Sequence, residues 1–179
     1  MARITLITGG ARSGKSAIAE RIAGRACAGG PVAYVATAEP LDGEMRRRIA
    51  AHRRRRPKAW DTFESPRDLA GTVERAARGH GAVIVDCLTV YVSNLLGDGS
   101  ATDEEVLAEV GRFAEAAGRS RAEVVVVTNE VGSGIVPENP LARRYRDLHG
   151  LANQILAKAA ARVVLAVSGV PVVIKGPEL

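Results

Sequence analysis

Short apolar runs alternate with amphipathic stretches along the chain. RITLIT (from Arg3), VAYVAT (from Val32), AVIVD (ending at Asp86), EVVVVT (from Glu123), RVVLAVS (from Arg162) and PVVIK (from Pro171) are β-branched runs of strand length. Between them, apolar residues recur at helical spacing. One helical pattern begins near Lys15. A second runs from about Glu44 to Arg56, with Met45, Ile49 and His52 along one face. Ser65-Pro66 reads as a helix start, with Ser65 as cap, Pro66 in the first turn and Asp68 three residues after the cap. Thr102 to Glu105 has the capping-box pattern, and Val106, Val110, Phe113 and Ala117 follow at helical spacing. Leu148, Leu151, Ile155, Leu156 and Ala159 mark the last long helix. The two closing strands are joined by a short Gly169-Val170 turn, a spacing that suits a C-terminal antiparallel hairpin.

Strands alternating with helices predict an α/β fold: a mainly parallel sheet flanked by helices on both faces. No repeat, linker or change of composition divides the chain, so residues 1–179 are expected to form one domain. In such sheets, ligands sit outside the carboxyl ends of the strands. That places Gly9, Thr37, Asp86 and Thr128-Asn129-Glu130 on one rim. The loop after Thr128 is unusual, with Gly132, Gly134, Pro137 and Pro140 preceding a basic helical pattern.

Composition narrows the class. Apolar residues make up 46% and charged residues 25%, as in ordinary globular proteins, while aromatics are only 3%. The core must therefore be aliphatic, which suits a buried parallel sheet. No apolar run is long enough to span a bilayer. The opening MARITLITGG meets glycines at once and reads as a strand, not as a signal peptide. Cys27 and Cys87 are far apart without metal-site spacing, which fits a reducing cytoplasm. The net charge of +5 is local. Removing the seven arginines of RRRIAAHRRRR (Arg46 to Arg48 and Arg53 to Arg56) leaves −2. This suits one anionic ligand site or a solvated helix more than a nucleic-acid coat, and aromatics for base stacking are lacking.

TGGARSGKS sets Gly9, four spacers (Gly10, Ala11, Arg12 and Ser13), then Gly14-Lys15-Ser16, between a strand and a helix. This is the phosphate-binding P-loop, and the fold expected is of the P-loop NTPase type. Backbone N–H groups turn inward around phosphate oxygens, and the helix N-terminus adds a favourable dipole. Lys15 is placed to reach the β/γ-phosphates and Ser16 to ligate Mg²⁺. Asp86, ending a strand, is placed to hold the hydrated Mg²⁺.

His52 lies among the arginines. Its helical face equally suits a histidine packed on Met45 and Ile49. A neutral imidazole nitrogen can also attack phosphorus and form a phosphoramidate, with neighbouring arginines fixing the phosphates. His80 and His149 have no comparable setting.

TGGARSGKS, VATAEPLDGEM, RRRIAAHRRRRP, VIVDCLTVYVSNLL and VTNEVGSGIVPENPLARRYRDLHGLANQ, in this order, resemble the bifunctional adenosylcobinamide kinase/adenosylcobinamide-phosphate guanylyltransferase family. The resemblance covers nearly the whole chain. It implies phosphorylation of adenosylcobinamide by GTP or ATP. Transfer of GMP from GTP to the new phosphate then gives adenosylcobinamide-GDP, in coenzyme B12 biosynthesis. It implies that His52 carries the GMP. It also implies nucleotide contacts along Gly9 to Ser16, at Ala36, Thr37 and Ala38, at Arg53, Arg54, Arg55 and Arg56, and at Glu64 and Asp86. A homotrimer is implied as well. The chain has Ala51 where family members often have a second histidine, and Asp86 where members carry Glu. The resemblance leaves one competing reading, another small P-loop phosphotransferase in which His52 is structural.

Overall fold

The computed structural model describes residues 4–27, 30–97 and 99–179, and describes Arg48 and Arg55 by backbone alone. Arg3, where the first strand was expected to begin, lies outside the described residues. The elements run β1 (Ile4–Thr8), α1 (Lys15–Ala26), β2 (Val32–Ala36), α2 (Gly43–Arg55), β3 (Asp61–Glu64), α3 (Leu69–Ala76) and β4 (Ala82–Asp86). They continue with α4 (Leu88–Leu96), α5 (Asp103–Arg119), β5 (Glu123–Val127), a 3₁₀ turn (Val131–Ser133), α6 (Pro140–Ala159), β6 (Arg162–Val167) and β7 (Val170–Lys175).

Among the described residues, one seven-stranded sheet has the order β3-β2-β4-β5-β1-β6-β7. All pairings are parallel except the last, where β7 runs antiparallel to β6. The four central strands are almost wholly buried, as their mostly apolar runs require. One face packs against α3, α4, α5 and α6 through residues such as Leu69, Tyr91, Phe113, Leu148 and Leu156. The other packs against α1 through Ile18, Ile22, Tyr34 and Ile84. The α/β architecture and the closing hairpin therefore stand as the sequence predicts.

Local differences have physical causes. The start at Ser65-Pro66 is displaced: Asp68 is the cap of α3, accepting from the Gly71 N–H at 2.9 Å, while the Ser65 hydroxyl donates to the Asp68 carbonyl at 2.6 Å. The second helix begins at Gly43 behind an Asp42 cap, and Arg56 is its extended C-cap. The hairpin turn is Ser168-Gly169, both at positive φ, so Val170 already belongs to β7. The capping box of α5 forms in both directions, Glu105 N–H to Thr102 Oγ1 and Thr102 N–H to Glu105 Oε2. Strand β3 was missed because it is a four-residue edge strand with mostly exposed side chains. Helix α4 was missed because LTVYVSNLL is β-branched and apolar nearly all round, without a helical stripe.

Candidate nucleotide site

The carboxyl ends of β1, β5, β4, β2 and β3 form a continuous rim. Ile7 pairs with Val127, Val127 with Asp86, Asp86 with Ala36, and Ala36 with Glu64. Parallel register thus sets Asp86, Ala36 and Glu64 side by side and brings the phosphate-loop strand within one strand of Asp86.

Gly9 to Gly14 form the turn from β1 into α1. Gly9 has φ +145, and a Cβ there would stand 2.4 Å from the Ala166 carbonyl oxygen, so only glycine fits without displacing β6. Gly14 caps α1 in the left-handed region and leaves the helix N-terminus open, with no side-chain cap. Gly10, Ala11 and Arg12 lie on the exposed crest, while Ser13 is buried. The Lys15 ammonium folds back over this loop, donating to the Gly9 carbonyl at 3.0 Å and the Gly10 carbonyl at 2.6 Å. Burial lowers its pKa, opposed by the nearby charges of Asp86 and Glu130.

Ser16 donates to Asp86 Oδ2 at 3.2 Å. Two hard oxygen donors from different elements therefore converge at the open end of the loop. No cluster of three or more His, Cys, Asp or Glu ligands exists among the described residues. This donor set fits Mg²⁺ that keeps waters and arrives with phosphates, not an ion caged by protein alone.

His52, on α2, turns Nδ1 toward Asp86 Oδ2 at 3.8 Å. That distance is too long for a direct hydrogen bond. The histidine nonetheless faces the same carboxylate as Ser16. Helix α2 rests lightly on the body; its described side chains are half-buried or exposed. Arg53 pairs with Glu64, Arg54 is exposed, and Arg56 lies 3.5 Å above the Tyr34 ring centre. The Arg55 side chain is outside the described residues. Ala36 and Ala38 are half-exposed at the rim. Thr37 is buried, and its hydroxyl both donates to the Cys87 carbonyl and accepts from the Cys87 N–H, each at 2.9 Å. Its side chain braces the turn after β4.

Residues 5–174 match the family described as cobinamide kinase / cobinamide phosphate guanyltransferase. The chain belongs to this family. The bifunctional adenosylcobalamin biosynthesis protein CobP of Pseudomonas aeruginosa is 45% identical over 176 residues, covering 97% of this chain and 98% of that protein. The corresponding CobU proteins of Escherichia coli and Salmonella typhimurium are 43% and 44% identical over 181 residues, each covering 95% of this chain and 98% of the relative. The flagellar accessory protein FlaH of Methanocaldococcus jannaschii shares the fold, with a TM-score of 0.55 at 14% identity over 98% of this chain and 79% of that one. The family's activities are those of a cobinamide kinase and a cobinamide-phosphate guanylyltransferase.

Several residues around this family's site escaped the sequence reading. Tyr34 donates to Asp86 Oδ2, and burial, reinforced by the Asp86 charge, raises its pKa strongly. It therefore stays a neutral donor. Its strand position, two residues before the rim, was the available signal. Thr8 donates to Glu130 Oε1, tying the loop after β5 to β1.

Beneath that loop lies a buried polar network. Asn153 Nδ2 donates to the Asn129 carbonyl at 2.9 Å, which orients its Oδ1 to accept from Thr128 Oγ1 at 2.7 Å. With its proton committed, the Thr128 hydroxyl accepts from His149 Nε2 at 3.1 Å. The inferred tautomer of His149 is therefore neutral with the proton on Nε2, consistent with the buried, unpartnered Nδ1. Burial pulls the His149 pKa down to about 4, partly opposed by Glu130. A hollow of about 480 Å³ beside Glu74, Arg78 and Arg119 lies at the other end of the sheet, away from these groups.

Proposed function

We propose that this chain phosphorylates adenosylcobinamide with GTP or ATP and then transfers GMP from GTP to the product through a guanylyl-His52 intermediate, giving adenosylcobinamide-GDP. Both steps are assigned to one nucleotide site and to one domain, residues 1–179. The observation that carries this reading is the convergence of Ser16 and His52 on Asp86, at 3.2 and 3.8 Å.

In the kinase step, Gly9 to Gly14 cradle the phosphates with backbone N–H groups. Lys15 exchanges its own loop carbonyls for β/γ-phosphate oxygens. Ser16 and Asp86 would hold Mg²⁺, which supplies charge neutralisation on the phosphates when bound. Arg53, Arg54, Arg56, Glu64, Ala36 and Ala38 would line the nucleotide's far side, with Thr37 holding the turn beneath them; for Arg55 the contact rests on the family resemblance alone. In this role the arginines serve a nucleotide rather than a nucleic-acid polymer.

In the second step, the His52 ring turns Nδ1 to Asp86 and presents Nε2 to the α-phosphorus. The P–N bond forms as the α–β bridging P–O bond breaks, and pyrophosphate leaves. A phosphate oxygen of adenosylcobinamide phosphate then attacks the same phosphorus, and the P–N bond breaks. The exposed Ile135 and Val136 of the loop after β5 offer an apolar surface to the corrinoid. The exposed row Val170, Val172 and Ile174 on edge strand β7 supports assembly into the homotrimer that the family resemblance implies. The two free thiols, Cys27 and Cys87, support a cytoplasmic setting.

The test is incubation with α-labelled GTP followed by denaturation. Acid-labile, alkali-stable label on the protein is expected. A protein that turns over but never carries label contradicts the intermediate.

A further inference from the structure

We propose that Glu130 is the general base of the kinase step, the group that takes the proton from the substrate hydroxyl. This rests on the kinase reading above and deepens it.

The placement comes from register. Val127 pairs with Ile7 on one side and Asp86 on the other, so the residues after it emerge between the phosphate loop and Asp86. There the backbone and side chain of Glu130 are both tied to the chain entering the phosphate loop. Its N–H donates to the Gly9 carbonyl at 3.3 Å, and Thr8 donates to its Oε1. No hydrogen bond among the described residues engages Oε2. The carboxylate thus has one anchored oxygen and one oxygen open to the rim. Its charge reaches Lys15, the residue that meets the phosphoryl group to be transferred.

The turn carrying Glu130 is held from below. Thr128 and Asn129 are pinned by His149 and Asn153, and the Asn129 N–H donates to Thr89 Oγ1 at 2.9 Å. Arg146 donates to the Gly132 carbonyl at 3.0 Å just beyond. A base must be held within hydrogen-bond reach of its proton, and this bracing supplies that. The neighbouring carboxylates have other engagements. Asp86 accepts from Ser16 and Tyr34, and Glu64 pairs with Arg53.

The step balances without further reagents. The hydroxyl oxygen bonds to the γ-phosphorus while the β–γ bridging P–O bond breaks, and that electron pair leaves with the nucleoside diphosphate. The hydroxyl proton passes to Glu130 Oε2 and then to water. Guanylyl transfer has no such need, because its nucleophiles are a neutral imidazole nitrogen and an ionised phosphate oxygen.

The experiment compares Glu130→Gln and Glu130→Asp with the unmodified protein. It measures phosphorylation of adenosylcobinamide, guanylyl transfer to preformed adenosylcobinamide phosphate, and GTP affinity. Glu130→Gln should slow phosphorylation by about 10²–10⁴-fold, the usual contribution of a general base. GTP affinity should hold, guanylyl transfer should fall far less, and Glu130→Asp should recover part of the rate. Phosphorylation by Glu130→Gln within threefold of the unmodified rate, or equal loss of both reactions, would overturn the assignment. The unmodified protein's own rate decides the kinase reading; the variant-to-unmodified ratio decides Glu130.

Discussion

His52 Nδ1 and Asp86 Oδ2 stand 3.8 Å apart, although one residue lies on helix α2 and the other ends strand β4. The same Asp86 oxygen accepts from Ser16 at the start of α1 and from Tyr34 on β2. One carboxylate thus joins the phosphate loop, the sheet and the histidine helix.

Lys15→Ala and Ser16→Ala should each slow kinase turnover by about 10²–10³-fold, the scale for losing one preorganised charge-stabilising group. Steady-state phosphorylation of adenosylcobinamide measures this. Near-normal turnover by either variant would remove the phosphate loop from the kinase step.

Asp86→Asn should raise the Mg²⁺ concentration needed for half-maximal activity, because a neutral amide attracts a hydrated divalent cation less strongly. An unchanged Mg²⁺ titration would count against Asp86 as a metal partner.

Tyr34 and Arg56 should separate orientation from affinity. Tyr34→Phe keeps the ring beneath Arg56 but deletes the hydrogen bond to Asp86. A hydrogen bond to a charged group is worth about 1.5–3 kcal/mol, so turnover should drop by about ten- to a hundredfold. Arg56→Ala should instead weaken GTP binding. Titration calorimetry with kinetics on both variants checks the split; matching effects would show that the two residues act as one unit.

Much of this junction was legible in the chain. Gly9 to Ser16 and Asp86 were readable because glycine spacing and strand ends obey general backbone rules. His52 was readable as a candidate, but its approach to Asp86 was not, since the angle at which α2 leaves β2 is a tertiary property. Tyr34 lies inside an apolar strand run, and only its hydrogen bond to Asp86 shows that its hydroxyl reaches the rim. His149 was set aside for lack of neighbours in sequence. Its partners Thr89 and Thr128 come from two other places in the chain.

His149 gives a prediction about pH. Its folded pKa is lowered from 6.5 to about 4. The unfolded chain therefore takes up a proton below 6.5 that the folded protein refuses until about 4. Its contribution to stability is complete above 6.5 and is lost as pH falls through that window. The full shift corresponds to about 3 kcal/mol. Denaturant unfolding of the unmodified protein and His149→Gln, from pH 7 to pH 4, should show the stability of the unmodified protein falling more steeply. Parallel profiles would mean that His149 protonates in the folded state as readily as in the unfolded one.

The most direct test of the account is to measure both reactions on one preparation of His52→Ala whose melting temperature has been checked. Loss of the imidazole removes the nucleophile that attacks the α-phosphorus. The covalent GMP label should vanish and guanylyl transfer should fall by orders of magnitude. Phosphorylation of adenosylcobinamide requires no such intermediate and should largely persist. The unmodified enzyme should retain configuration at the transferred phosphorus, because two in-line displacements each invert it. Equal loss of both activities with the fold intact, or a GMP adduct that survives without His52, would contradict the claim that His52 carries the nucleotide.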